Sequence, residues 1–338
     1  MSNTSISVCL IGYGYWGKNI VRNLMESSFK LHVAVAESNP EKVKLLKGLY
    51  ANLKLFESAD MAIDSNEFDA FIVATQTPTH YDIVKKILHA GKHVLVEKPL
   101  TTSLAQVLEL NSLADKLGLV LMVDHIFLYH PVVQKMKHLF EEQFLGKINY
   151  LDATRINLGI YQRDVNVLWD LACHDIAIVN YLVEEKPYAV SAIGHMNEEY
   201  KTYDLAYMFL YFTSGLLVQI NASWSSPVKI RKMIIGGEKR MLIYDDIEPT
   251  NKLTIYEYEQ NTKFDDNKQG LSDYRLSNII IPKTATTEAL KNVIYEFFDC
   301  IIHTQKPLAN GQNAIDVINI LEKAQQSLAA NGAIQQLN

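Results

Sequence analysis

The stretch VCLIGYGYWGKNIV at residues 8–21 spaces Gly12, Gly14 and Gly17 as G-x-G-x-x-G directly after a short apolar run. Glycines in that pattern suit phosphate chemistry. Gly12 permits a tight turn, Gly14 lets backbone N–H groups approach a pyrophosphate, and Gly17 lets the following helix lie close to the strand. The helix N-terminus then meets the anion with open amides and the positive end of its dipole. Glu37 lies 20 residues after Gly17, at the tip of the next apolar run, where a carboxylate can bond the adenosine ribose hydroxyls. The same carboxylate repels a 2′-phosphate by ~4 kcal/mol at about 4 Å and an effective dielectric near 20. No arginine follows Glu37 to offset that, so the expected cofactor is NAD rather than NADP. Tyr13, Tyr15 and Trp16 either wall the cofactor cleft or only cover the helix start; both readings stand.

Such a loop works only between a strand and a helix of a parallel sheet. The runs ISVCLIG, LHVAVAE, AFIVAT, HVLVEK and LVLMVD are rich in β-branched residues, and helical patterns separate them. THYDIVKKILHAGK puts Ile83, Ile87 and Leu88 at helical spacing and closes on Gly91. TTSLAQVLELNSLADKLG opens with cap-competent threonines and closes on Gly118. Strands alternating with helices of this length imply βαβ units. The expected fold class is α/β, with an N-terminal Rossmann doubly wound parallel sheet over residues 1–121 that binds NAD.

After about residue 122 the texture changes. INYLDATRINLG, YDLAYMFLYFTSGLLVQINASW and KLTIYEYE alternate as antiparallel strands with one covered face, and WDLACHDIAIVNYLVEE interrupts them as a helix. Residues 122–338 are therefore expected to form a C-terminal α+β domain with a large open, mainly antiparallel sheet, which binds substrate and mediates oligomerisation. A broad apolar strand face is costly to leave exposed, which favours a homodimer or homotetramer.

Composition narrows the partners. The chain has 338 residues, 48% hydrophobic and 21% charged, with a net charge of −6 and no block of Lys and Arg. That balance argues against nucleic acid or an anionic membrane surface and for a small-molecule partner. Cys9, Cys173 and Cys300 have no Cys-x-x-Cys spacing, so neither a disulfide framework nor a zinc site is expected. MSNTSISVCLIG lacks the pattern of a signal peptide, and no apolar run reaches about 18 residues, so a cytoplasmic location is expected. Cys173, His174 and Asp175 are consecutive; in a helix they point about 100° apart and do not converge on a metal, so no metal is expected.

Taken together, GYGYWG, ATQTPTH, EKPL and DLACHD resemble, in order and spacing across the whole chain, the Gfo/Idh/MocA oxidoreductases. The resemblance implies that the lysine of EKP and the members of the D-x-x-x-H-D motif serve the chemistry, here Lys98, His174 and Asp170. It also points to Thr75, Thr77 and His80 of ATQTPTH, and Glu97 with Lys98 of EKPL, as cofactor-binding residues. Physical chemistry agrees for the catalytic set. Lys98 ends a parallel strand, where ligands of such sheets bind, and its ammonium can stabilise an alkoxide. Oxidising a secondary alcohol needs a base for the hydroxyl proton, and imidazole, with a reference pKa of about 6.5, is suited to it. If a helix covers 170–178, Asp170 sits one turn before His174 and can orient it or accept the substrate hydroxyl. A position near the helix start would help keep the imidazole neutral.

HIFLYHPVVQKMK, RINLG, VNVLWDLACHD and SWSSPVKIR look most like the members that act on nucleotide-linked sugars, including UDP-N-acetylglucosaminuronate 3-dehydrogenases of surface-polysaccharide pathways. Members of that group often carry proline where this chain has Cys173. Five of the six arginines lie in the expected second domain, and guanidinium forks suit a diphosphate or a uronate. Arg155, Asn157 and Arg163 precede the catalytic helix, and His125 and Tyr129 follow the sixth strand; with Asp170 and His174 these are the expected substrate-binding residues. The implied reaction is hydride exchange between NAD(H) and a ring secondary alcohol, C3 of the sugar. An inositol or other free-polyol dehydrogenase, or a non-catalytic NAD-binding regulator, are the alternatives.

Overall fold

The computed structural model describes residues 5–159, 161–162, 164–261 and 273–337. The chain divides into two compact units, Met1–His130 with Thr287–Glu322, and Pro131–Thr286 with Lys323–Asn338.

The first unit is built on β1 (Ser5–Ile11), β2 (Lys30–Ala36), β3 (Lys54–Phe56), β4 (Ala70–Val73), β5 (His93–Val96) and β6 (Leu121–Val123), an all-parallel sheet in the order β3-β2-β1-β4-β5-β6. The crossovers are α1 (Tyr15–Met25), α2 (Pro40–Leu49), α3 (Ala59–Asp64), α4 (His80–His89) and α5 (Leu104–Leu117). All four residues of β4 are buried, as a strand covered on both faces requires. Helix ends follow local chemistry: Asn39 caps α2 through its side chain with Pro40 at the first turn, and α5 stops at Gly118, whose φ is +64°.

The second unit contains α6 (Pro131–Glu141), β7 (Ile148–Leu158), α7 (Cys173–Leu182), β8 (Ala189–Asn197), β9 (Thr202–Tyr211), β10 (Leu217–Ser223), β11 (Ser225–Gly237), β12 (Arg240–Asp245), β13 (Leu253–Asn261) and β14 (Asp273–Ile280). With β15 (Gln335–Gln336) these strands form a nine-stranded sheet, β14-β13-β12-β11-β7-β10-β9-β8-β15. β7 and β10 run parallel and the other pairs are antiparallel. Along β9, Asp204, Ala206, Met208 and Leu210 are buried while Tyr207 is exposed, the period of two that a strand covered on one face produces.

Two helices follow, α8 (Ala289–His303) and α9 (Gly311–Ala329). Their place differs from the expected division after residue 121. Residues to His130, all of α8 and the first part of α9 group with the first unit. Phe29 packs against Tyr295 and Phe298 at ring-centroid distances of 5.2 and 5.8 Å, and Arg22 pairs with Glu288 at 2.6 Å. The Val123 amide donates to Ala309 at 2.9 Å, so the returning chain satisfies edge strand β6. These partners lie more than 180 residues apart, beyond any local pattern. Among the described residues no helix is long and apolar enough to cross a membrane.

Candidate active site

β1 and β4 are neighbours, with Ile11 opposite Val73, and strand order reverses between them, at the position where open α/β sheets bind ligands. The glycine loop sits at this switch point. Gly12 has φ +97°, and a methyl group there would lie 2.7 Å from the Ala74 carbonyl oxygen. On Gly17 it would lie 2.4 Å from the Gly12 carbonyl oxygen, whereas on Gly14 it would meet nothing within 4 Å. Gly12 and Gly17 are thus enforced by packing, and Gly14 leaves open backbone at the head of α1. No acidic residue stands in the first turn of α1, so the positive dipole end is not neutralised there. This fits a pyrophosphate.

Glu37 is buried at the end of β2. One carboxylate oxygen accepts from the Tyr13 amide and the other from the Asn39 amide, each at 2.8 Å. The carboxylate therefore anchors the glycine loop, with lone pairs remaining for ribose hydroxyls. Lys42 approaches it at 3.6 Å, a counter-charge the sequence reading did not place. The aromatics separate. Tyr13 is buried in the core, so it shapes the loop and leaves the expected cofactor-facing set; Tyr15 is 81% exposed and meets the half-exposed Trp16 edge-on at 5.7 Å.

Thr75 and Thr77 are half-buried in the loop after β4, and Thr75 bonds Thr79 at 2.8 Å. His80, also expected at the cofactor, lies between two loops. Its ring is buried, with Nδ1 2.9 Å from the Pro99 carbonyl oxygen and Nε2 3.1 Å from that of Thr75. Whichever nitrogen carries the proton donates to the carbonyl it faces, and the ring between the loop after β4 and the loop after β5 makes His80 a positioning residue.

Glu97 and Lys98 leave β5 beside Asp124 and His125, which leave β6. Val96 and Val123 are register partners, and the Asp124 amide continues the ladder to Val96 at 2.8 Å. Glu97 is half-buried as a residue, yet its Oε1 is shut off from solvent. Burial first, then the charge of Asp124, push the Glu97 carboxyl well above its ordinary range. Burial likewise raises Asp124, with the nearby Lys98 charge opposing it. His125 is buried and pushed down to about 4 by burial and then by Lys98, so it is neutral near pH 7. Tyr129 leaves the expected substrate-binding set. Its buried hydroxyl bonds Glu296 of α8 and accepts from the Ala309 amide at 3.1 Å, so its polar tip is engaged inside the first unit.

In the second unit, Leu168–Ala172 are wound as a π-helix that runs into α7. Asp170 lies in the wider turn and His174 in the α-helix, so the expected α-helical span of 170–178 is replaced by a change of pitch. The helical backbone begins upstream of Asp170, and the start-of-helix effect expected at His174 is weakened because it fades within the first turn. Asn166 opens this segment, its Oδ1 accepting from the Leu168 amide at 3.0 Å. The Trp224 indole donates to Asp170 Oδ2 at 3.0 Å, fixing the carboxylate. Asp170 and His174 are both half-buried.

Arg155 is corrected. It is 3% exposed, and its Nε and Nη2 both bond the Asp175 carboxylate at 2.8 Å. This bidentate pair locks α7 to β7 and is not open to a substrate. Asn157, two residues on along β7, is half-buried and remains a candidate. Arg163 lies outside the described residues.

A second buried acid was not legible in the sequence. Asp204 of β9 accepts from Tyr161 at 2.8 Å, Ser225 at 2.7 Å and His195 at 2.9 Å. Tyr161 stacks on Tyr200 at 4.7 Å and leans on Trp224 at 5.6 Å, so this network braces the indole that holds Asp170. Only SWSSP, a tryptophan amid hydroxyls at a strand end, hinted at it. Burial raises the Asp204 carboxyl, but the donors, His195 first, outweigh it and hold it at about 2. A depressed pKa contributes stability above the unfolded value of about 3.9 and loses it as pH falls toward the folded value. Asp204→Asn is expected to lower unfolding free energy by about 2 kcal/mol at pH 7, with the difference from wild type shrinking in urea titrations below about pH 3.

A parallel sheet in this order, with a glycine loop at its switch point and an acid at the tip of β2, defines a dinucleotide-binding protein of the Rossmann class. The chain belongs to the Gfo/Idh/MocA oxidoreductase family. Residues 6–125 match the oxidoreductase family's NAD-binding Rossmann fold, and residues 133–243 match the GFO/IDH/MocA C-terminal domain. UDP-N-acetylglucosamine 3-dehydrogenase of Acidithiobacillus ferrooxidans is 29% identical over 204 residues, 60% of this chain and 62% of that protein. The uncharacterized oxidoreductase YdgJ of Escherichia coli is 32% identical over 149 residues, 44% of this chain and 42% of its own length. These matches span less than two thirds of either relative. The scyllo-inositol 2-dehydrogenase (NAD(+)) of Bacillus subtilis is 26% identical over 245 residues, 69% of this chain and 70% of that protein. The solved structure of the Acidithiobacillus 3-dehydrogenase GnnA superposes with a TM-score of 0.79 at 23% identity, covering 97% of this chain and 99% of its own. That likeness shows a shared fold.

Proposed function

We propose that this chain exchanges hydride between NAD(H) and a ring secondary alcohol, C3 of a nucleotide-linked sugar. The observation that carries the reading is the placement of Lys98 at the carboxyl ends of β5 and β6 in the sheet whose switch point holds the glycine loop. Bound NAD supplies the hydride acceptor. His174 takes the hydroxyl proton as the carbinol C–H bond breaks, and the Lys98 ammonium stabilises negative charge on the oxygen. Asp170, held by Trp224, orients the imidazole or the hydroxyl. The likeness to a UDP-N-acetylglucosamine 3-dehydrogenase supports a nucleotide sugar, while the inositol dehydrogenase among the relatives keeps free polyols as the second reading. Purified protein is offered NAD with UDP- and dTDP-linked sugars and with inositols, and NADH absorbance is followed. Turnover of a UDP-amino sugar is expected; turnover of inositols alone would move the assignment to polyols, and turnover of none would favour a regulatory binder.

Glu37 sets the cofactor preference in this proposal. Its repulsion of a 2′-phosphate is partly offset by Lys42, 3.6 Å away and 41% exposed. The expected preference for NAD(H) in kcat/KM is therefore about tenfold or more, the equivalent of ~1.4 kcal/mol. A measured preference for NADPH would overturn it. For assembly, the sheet of the second unit leaves Tyr150, Tyr207 and Leu217 about 40% exposed on neighbouring strands β7, β9 and β10. We assign this face to contact with a second copy, and sedimentation is expected to give a dimer or tetramer.

A further inference from the structure

At the ends of β5 and β6, two carboxyl groups stand side by side. The register Val96–Val123 and the Asp124 amide bond to Val96 place Glu97 abreast of Asp124 and Lys98 abreast of His125. Abreast at the ends of adjacent strands, the Glu97 and Asp124 carboxyl groups lie near enough for the charge of one to act on the other. Two ionised carboxylates side by side repel each other and neither can donate to the other, so a proton on one of them relieves the pair. Glu97 Oε1 and Asp124 Oδ1 are each buried with no hydrogen-bond partner, which makes a doubly ionised pair costly.

The charged and titratable groups around the pair come from three elements. Lys98 follows β5 and His125 follows β6; Tyr129 follows in the next turn with its hydroxyl directed to Glu296 of α8. Of these, Lys98 is the cation, and its charge acts on both carboxyls and on His125. His125 is neutral and Glu296 is engaged by Tyr129 and by the Leu308 amide at 3.2 Å.

We propose that Glu97 and Asp124 hold a single proton between them and act as positioning residues, the one negative charge they keep holding Lys98 as an ammonium ion. Its bearing on hydride exchange rests on the role proposed above for Lys98; the charge state itself does not. Because either carboxyl can carry the charge, the pair is redundant to single isosteric changes and fails only when both are neutralised.

Two measurements on the full chain without substrate test this. Infrared difference spectroscopy at neutral pH is expected to find a protonated carboxyl in the wild type that disappears in Glu97→Gln and in Asp124→Asn. NMR titration of 13C-labelled lysine, with Lys98 assigned by Lys98→Arg, is expected to move by less than about half a pH unit in either single variant, and downward by about 1–3 units in the double variant. A wild type lacking the protonated carboxyl, a single variant that shifts Lys98 as far as the double, or a folded double variant that leaves it unmoved overturns the proposal. Should the double variant fail to fold, the infrared comparison of wild type and single variants decides. If these results hold while no sugar or polyol is turned over, the dehydrogenase reading falls and the carboxyl pair stands.

Discussion

Lys98→Ala is expected to lower kcat by about 10²- to 10³-fold, the range found when one preorganised donor to a developing oxyanion is removed. The alkoxide-like charge forms only as hydride leaves, so the loss should fall on kcat and kcat/KM alike. NAD affinity should change by less than about threefold, because the pyrophosphate and ribose contacts proposed for Gly14 and Glu37 are untouched. Titration of NAD by intrinsic fluorescence separates the two effects. Lys98→Arg keeps the charge with a planar fork in place of a point charge, and it should recover part of the rate. If the alanine variant keeps near-normal turnover, Lys98 is not part of the site.

His174→Ala is expected to lower kcat by about 10²- to 10⁴-fold, the range of a positioned general base. The acid limb of the kcat/KM profile for alcohol oxidation should disappear with it, since that limb records the base becoming protonated. Alanine suits the helix interior of α7, and the Arg155–Asp175 pair next to it remains, so the fold should persist. An unchanged acid limb in an active variant would assign the base elsewhere. Asp170→Asn provides the companion measurement: it retains an acceptor for the Trp224 indole but removes the charge, and it should reduce kcat while leaving the NAD titration unaltered.

The local features were legible because neighbouring residues cause them. G-x-G-x-x-G is a demand of backbone space, and Gly12 and Gly17 meet the Ala74 and Gly12 carbonyl oxygens at distances that exclude any side chain. Alternation of apolar runs with helical periods dictated the parallel sheet, and Glu37 was found by its offset from the loop. Arg155, Tyr129 and His80 have partners that the sequence did not show, for one reason. Each looks in sequence like an available polar side chain, and each is engaged by a partner 19 to 167 residues away: Pro99 for His80, Asp175 for Arg155 and Glu296 for Tyr129. Burial turns such a residue from a ligand into a strut.

By itself, then, the sequence determined the strand-loop-helix that receives a dinucleotide, the change from parallel to antiparallel texture, and the lysine and histidine suited to an alcohol. The first two follow from steric limits and periodicity within some twenty residues, and the last from the resemblance of the EKPL and DLACHD motifs to those of the family. Tertiary structure alone decided that α8 and the start of α9 return to the first unit, that Asp204 and Trp224 brace Asp170, and that Glu97 and Asp124 stand abreast. Pairings of that kind depend on which faces pack together, and a buried polar group takes whatever partner the packing brings within reach.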